Sequence, residues 1–463
     1  MPPLNIDTNK LRATAAEGFT LDCREIRLVQ NGTDTPRIWR CAGAIEIDFR
    51  KGITSRLVIF DTDRPVQSAW DKLVAASLIK SGEILSASHY FALTAVDVDG
   101  NEWGNPVVEV TEVPSKNCAI VTIECNWIRC VSTTTNTTDY VQMLFLDELD
   151  FPLNSMKIIE TKSASESSSR SDRSVSQGEI ESAVIVYSKA NAPEQFCELI
   201  VKAKTDIKFP QNYPSKLVET VRFLTASPKS FSVSDSTSGG VRIMEFAKAS
   251  PAEIGLFPPP LGARPGDAND FYKLLNAYLK NTLAASAGEE FSPISSKLYP
   301  LYSLKNVSLD AIALLVSVTV EGLTQDTFPN LGAAPPATLA EVDKLFAAIK
   351  SSGATETIRT RALSIVGGMK SSRAIDKLYA LQEEGKITSE EITAWKGLRN
   401  ASAHGNLHAP LEEIQTLLDS VYKACTLLNK LSLLAIKYEG KITDYSTKGW
   451  PVLDSTSPPS LPM

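Results

Sequence analysis

Five prolines between residues 251 and 265 divide this chain into two kinds of sequence. The stretch "PAEIGLFPPPLGARPGDAND" (251–270) carries Pro258, Pro259 and Pro260 in a row, with Pro251 and Pro265 on either side. Proline has no N–H for a helix or a sheet ladder, and its ring fixes φ, so neither element runs through such a cluster. Before the cluster, apolar residues recur with the period of two of a half-buried strand. After it they recur with the 3.6-residue period of a helix. The chain has 463 residues, more than one ordinary core accommodates. The expected fold is α+β and multidomain. A β-rich domain, sandwich- or barrel-like, covers 1–250, and a Pro-rich linker covers 251–266. An all-α helical bundle covers 267–450, and a disordered tail covers 451–463.

In the first part, "AIEIDF" (44–49) alternates apolar and polar residues, and "RLVIFDTD" follows closely. "YFALTAVDVDGNEWGNPVVEVTEV" (90–113) has two β-rich runs about a Gly/Asn-rich turn and predicts a hairpin. "CAIVTIECNWIRCV", "YVQMLFLDEL", "SAVIVYS" and "FCELIVKAKTDI" add strands, and "SAWDKLVAASLIKSG" (68–82) predicts an inserted helix. "TKSASESSSRSDRSVSQGE" (161–179) has almost no apolar residues and reads as a flexible Ser-rich loop. In "VDGNEWGN" the ligand series of a calcium loop is incomplete, so it reads as a turn.

In the second part, Phe271, Leu274, Leu275, Tyr278 and Leu279 form one stripe of a helix over 267–286. "LDAIALLVSVTVEGL" (309–323) is apolar nearly all round and predicts a central, buried helix, with Glu321 near its end. "ATLAEVDKLFAAIKSS" and "SRAIDKLYALQEEG" are amphipathic. The last long helix, over about 410–438, carries Leu411, Ile414, Leu417, Leu418, Val421, Leu428, Leu431 and Leu434.

Composition narrows the function classes. No run approaches the roughly 18–20 apolar residues that cross a bilayer, and "MPPLNIDTNKLRATAAEGF" lacks the apolar region of a signal peptide. A cytoplasmic protein with no membrane partner is expected. The seven cysteines show no CxxC spacing and have no neighbouring histidine, so they read as inert thiols, with no metal site and no cofactor expected. A net charge of −7 argues against a surface that coats nucleic acid and leaves room only for a local basic patch. Walker A, strand–helix GxGxxG and GxSxG motifs are absent from the sequence.

The chemistry-bearing stretch is "KITSEEITAWKGLRNASAHGNLH" (386–408). Thr388 and Glu391 have capping-box spacing, and Gly405 fits the position that closes a helix, which puts His404 in the last turn. Ile392, Trp395 and Leu398 fall on one apolar stripe. Lys396, Asn400 and His404, at i, i+4 and i+8, stack on another face, with Arg399 at its edge. A cation, an amide and an imidazole on one face suit RNA cleavage by the substrate's own 2′-OH. That reaction needs a base for the 2′-OH, an acid for the leaving 5′-oxygen, and positive charge at the phosphoryl oxygens. One histidine does not easily fill both proton-transfer roles, whereas a twofold dimer would supply two. The alternative is a polar helix end whose histidine binds the last carbonyls, and the residues alone leave both readings open.

"LRNASAHG" resembles the Arg-Asn-x-x-x-His signature of HEPN domains, found in many toxin and defence ribonucleases. "DAIALLVSVTVEGL" is similar to their internal buried helix. "LLAIKYEGKITDYSTKGWP" is similar to the end of the ApeA-like HEPN group, which joins an N-terminal β-rich domain to a C-terminal HEPN domain. The resemblance implies a metal-independent endoribonuclease, homodimeric through the HEPN domain, that cuts host RNA such as tRNA in abortive anti-phage defence. Arg399 would then bind the scissile phosphate, Asn400 orient groups in the cleft, and His404 act as acid or base. The N-terminal domain would sense a phage-derived trigger or restrain the nuclease. Lys396 is a further cation on this face. Glu321 would either steady Arg399 or simply end its own helix, and the second is the expectation. His408 reads as an exposed loop residue rather than a second catalyst, and His89 as a strand-edge residue. A non-catalytic HEPN scaffold in a defence or toxin–antitoxin complex is the competing function.

Overall fold

A computed structural model describes residues 18–60, 86–114, 118–162, 167–190, 196–249, 257–285, 291–304, 307–403 and 414–455, with backbone alone at 114, 157–162, 167–172 and 401–403. The helix expected over 68–82 lies outside these residues. The chain divides into two compact units. The first takes the residues up to Val218 with Lys229–Ala252 and Ala263–Asn269. The second takes Glu219–Pro228, Glu253–Gly262 and the residues from Asp270 on.

The first unit contains a closed six-stranded antiparallel barrel. Its strands are β1 (Phe19–Gln30), β2 (Ile38–Asp48), β3 (Gly52–Ile59), β4 (Tyr90–Asp97), β5 (Glu102–Pro114) and β6 (Ala119–Cys125). The order around it is β4-β1-β2-β3-β6-β5, and β4 closes the ring by pairing with β5. Alternation creates the core: Ile26, Leu28, Ile45, Ile47, Leu57, Leu93, Ala95, Trp103, Val121 and Ile123 point inward and are buried. The β4–β5 turn is the expected one. Asp97 accepts from the Asn101 backbone N–H (2.7 Å), Asn101 Nδ2 (2.8 Å) and Trp103 Nε1 (2.9 Å), so the carboxylate is spent on protein donors.

From β5 the sheet continues through β7 (Trp127–Thr133), which pairs at Trp103 and Gly104. The remaining order is β14 (Val241–Ala247), β13 (Val233–Ser238), β8 (Tyr140–Phe145), β12 (Cys197–Ala203), β11 (Ala183–Ser188), β10 (Ser167–Glu179) and β9 (Ser155–Lys162). The described residues of the Ser-rich stretch are therefore strand rather than loop: β10 pairs with β9 on one side and β11 on the other. Backbone hydrogen bonds make a strand whatever its composition, and the polarity of "SSSRSDRSVSQGE" concealed this one. β13 is equally polar and yet buried. Asp235 takes a two-point ion pair from Arg242 (2.8 Å at both contacts) and a hydrogen bond from the Tyr140 hydroxyl (3.0 Å). Burial and that carboxylate push the Tyr140 pKa up to about 12. All seven cysteines are free thiols, and burial raises Cys23 to about 12 and both Cys125 and Cys130 to about 11.

The described helices are α1 (Tyr213–Thr225), within which the division of units falls, α2 (Ala268–Ala284), α3 (Pro293–Tyr302), α4 (Leu309–Thr327), α5 (Pro336–Lys350), α6 (Glu356–Gly368), α7 (Ala374–Glu383), α8 (Ser389–Ala403) and α9 (Ile414–Ala435). The predicted stripe of α2 is buried from Phe271 to Leu279. Two expectations need correction here. Part of the Pro-rich stretch is packed rather than free: Phe257 and Leu261 are buried, Asn429 Nδ2 donates to the Pro258 carbonyl (3.3 Å), and the Thr443 N–H donates to Pro260 (2.9 Å). Part of the expected tail is a strand, β16 (Val452–Asp454), paired with β15 (Lys441–Thr443). No described helix is long and apolar enough to cross a membrane.

Candidate functional site

The second unit positions α8 by three devices. At its start, the Thr388 N–H donates to Glu391 Oε2 (2.8 Å) and the Glu391 N–H to Thr388 Oγ1 (3.2 Å), the reciprocal cap read from the sequence. Glu391 Oε1 also receives Lys430 Nζ of α9 at 2.7 Å, with both side chains largely buried. Along its inner face, Ile392, Trp395 and Leu398 are buried. Trp395 Nε1 donates to the Ser317 carbonyl of α4 (2.9 Å), satisfying an indole that burial would otherwise strand.

One turn further on, the same two helices meet again. Arg399 Nε donates to Glu321 Oε2 (2.7 Å) and Nη2 to Oε1 (3.0 Å). The steps from Trp395 to Arg399 and from Ser317 to Glu321 are both four residues, so the helices run parallel here with matched turns. Glu321 thus meets Arg399 rather than merely ending its helix, which corrects the expectation for that residue. The pair is exposed, 44% for the arginine side chain and 37% for the glutamate. An exposed pair adds about 0–1 kcal/mol to stability, so its main effect is to fix the guanidinium's direction. The Glu321 carboxylate also raises the arginine pKa above its usual value, keeping it charged at any physiological pH.

The far end of α4 is fixed as well. Lys377 of α7 is buried and donates Nζ to the carbonyls of Phe328 (2.6 Å), Pro329 (3.3 Å) and Gln325 (3.4 Å), a cation on the helix C-terminus. Nothing in the spacing of "SRAIDKLYALQEEG" distinguishes this lysine from a solvated one, and the sequence reading missed it. α4 is also less enclosed than its composition implied. Leu314 and Val318 are 45% and 53% exposed, on the face that Glu321 continues.

Lys396 and Asn400 are exposed on α8, on the side that carries Arg399. His404 and His408 lie outside the described residues, as does Gly405; the described helix ends at Ala403, one residue before His404. His89 ends a short turn before β4 and is exposed, its Nδ1 3.1 Å from Ser86 Oγ. Among the described residues no group of three or more His, Cys, Asp or Glu is placed to hold a metal ion.

The arrangement can grip an anion. The pair occupies two of the five donors of a guanidinium, so a phosphate reaching the exposed side still meets N–H groups. Glu321 cancels one positive charge, and Lys396 restores a net cation. The chain matches no known protein family, curated protein or solved structure.

Proposed function

We propose that the chain is a HEPN-type endoribonuclease whose site is Arg399, Asn400 and His404, assisted by Lys396 and Glu321. The observation that carries this reading is the Arg399–Glu321 clamp: an exposed arginine held in one direction at the end of a capped helix, beside an amide and a second cation. In the reaction the substrate's 2′-oxygen attacks phosphorus and the 5′-oxygen leaves. One histidine takes the 2′-OH proton and another protonates the 5′-oxygen, giving a 2′,3′-cyclic phosphate and a 5′-OH. Arg399 and Lys396 offset charge on the phosphoryl oxygens. The two histidines come from a homodimer through the helical unit, and the exposed Leu314 and Val318 beside Glu321 offer it an apolar contact. The biological setting that goes with this reading is abortive anti-phage defence by cleavage of host RNA such as tRNA. The barrel-containing unit receives the trigger or restrains the nuclease.

The test is a mutant series on purified protein. Arg399→Ala is expected to lower RNA cleavage by about a hundred-fold or more. Arg399→Lys should not rescue it, because an ammonium lacks the planar fork. Glu321→Gln should cost about ten-fold through misdirection of the guanidinium. Equal cleavage across the series would move the site away from Arg399, and no cleavage by the wild type or any variant would favour the competing reading, a HEPN scaffold that binds without cutting.

A further inference from the structure

The loop between β15 and β16 combines a strained backbone with an exposed aromatic ring. Thr447–Trp450 is a tight turn closed by the Trp450 N–H on the Thr447 carbonyl (3.0 Å), and Gly449 takes the positive φ (+84°) that such a turn requires. The next residue also has a positive φ: Trp450, at +50°, sits in the left-handed region that a bulky side chain disfavours, directly before Pro451. Glycine or asparagine is the low-strain residue at such a position. The tryptophan that stands there is 57% exposed, so this backbone holds a large aromatic ring at the surface.

The rest of the loop is braced. Asp444 Oδ1 accepts from the Ser446 N–H (2.9 Å) and hydroxyl (2.6 Å), and Oδ2 accepts from the Thr447 hydroxyl (2.8 Å). The Asp444 N–H donates to Pro451 (2.9 Å), closing the loop at its base. The Tyr445 ring lies 5.7 Å from that of Trp450 at 51°, steadying it from one side. Lys448 is exposed between them in sequence. The one carboxylate of the loop is thus turned onto its own hydroxyls, while its cation faces solvent.

A rigid exposed indole with a neighbouring cation has the recognition chemistry of a base and its phosphate: bases stack on aromatic faces without regard to sequence, and lysine meets the backbone. We propose that the Asp444–Trp450 loop is a preformed stacking site for single-stranded RNA, with Trp450 as the platform and Lys448 on the adjoining phosphate. The inference rests on the ribonuclease reading and gives it a substrate class, unpaired RNA.

The test uses the full chain and a fluorescein-labelled single-stranded 2′-deoxy oligonucleotide, which has no 2′-OH and cannot be cut by the proposed route. Anisotropy titrations compare it with the matching duplex. The wild type should prefer the single strand. Trp450→Asn should bind about ten-fold more weakly while melting about 2–4 °C higher, because asparagine relieves the strain. Trp450→Phe should stay within about three-fold of the wild type, and Lys448→Ala should flatten the salt dependence by about one phosphate contact. Unchanged affinity in Trp450→Asn, equal loss in Trp450→Phe, or equal binding of the duplex overturns the proposal. His404→Ala separates it from the ribonuclease reading. A chain that binds through Trp450 but never cuts RNA overturns only the latter, and one that cuts with an unchanged KM in Trp450→Asn overturns only the former.

Discussion

Arg399 is held by a carboxylate and yet remains at the surface, and that combination separates its stability role from the chemical one proposed for it. Exposed ion pairs contribute about 0–1 kcal/mol, so Arg399→Ala should leave the melting temperature within about 2 °C of the wild type while cleavage collapses. A large loss of stability would make the residue structural. Glu245, on β14, supplies a titration test of the other unit. Burial raises its carboxyl pKa, and Arg129, at 3.9 Å, opposes the shift only in part. A folded pKa above the unfolded one means that folding favours the protonated form. Its contribution to stability is therefore present at low pH and lost as pH rises through the folded value. Glu245→Gln, neutral throughout, should melt above the wild type at pH 7, with the gap closing as pH falls toward about 4. A gap that ignores pH would rule out this cause.

Among the elements, α8 was readable because each of its signals is local. Thr388 and Glu391 sit three apart, and Ile392, Trp395 and Leu398 keep a helical period. The partners of those residues were not readable. That Trp395 reaches Ser317, Arg399 reaches Glu321 and Glu391 reaches Lys430 are facts about packing between distant segments, which no window of sequence contains. The polar strands β10 and β13 escaped for a related reason: their pairing is made by backbone, and the Asp235–Arg242–Tyr140 cluster that permits burial of β13 is assembled from separate strands. The local and distant parts can be weighed by calorimetry. Thr388→Ala removes one cap and should cost about 1 kcal/mol. Glu391→Ala removes the cap and strands the largely buried Lys430 side chain, and should cost about 3–5 kcal/mol. Similar costs for the two would mean that the Lys430 contact contributes little.

At the scale of the molecule, a β-rich, sandwich- or barrel-like unit and a helical unit were foreseen in outline from one change of hydrophobic period, but the continuation of the barrel into a larger antiparallel sheet was not. Nor was the closure of β4 on β5, because closure depends on register rather than composition. The proposed reaction needs two helical units together. Leu314→Asp with Val318→Asp, charges placed on the exposed stripe of α4, should convert a dimer to a monomer in sedimentation and abolish cleavage without unfolding the chain; a monomeric wild type would remove the second histidine from the account. The most direct measurement is end-group analysis of RNA cut by the purified protein in EDTA, beside His404→Ala. The proposed reaction leaves products ending in 2′,3′-cyclic phosphate and 5′-OH that vanish in the variant. Products ending in 3′-OH and 5′-phosphate, or cleavage that survives the loss of His404, would contradict it.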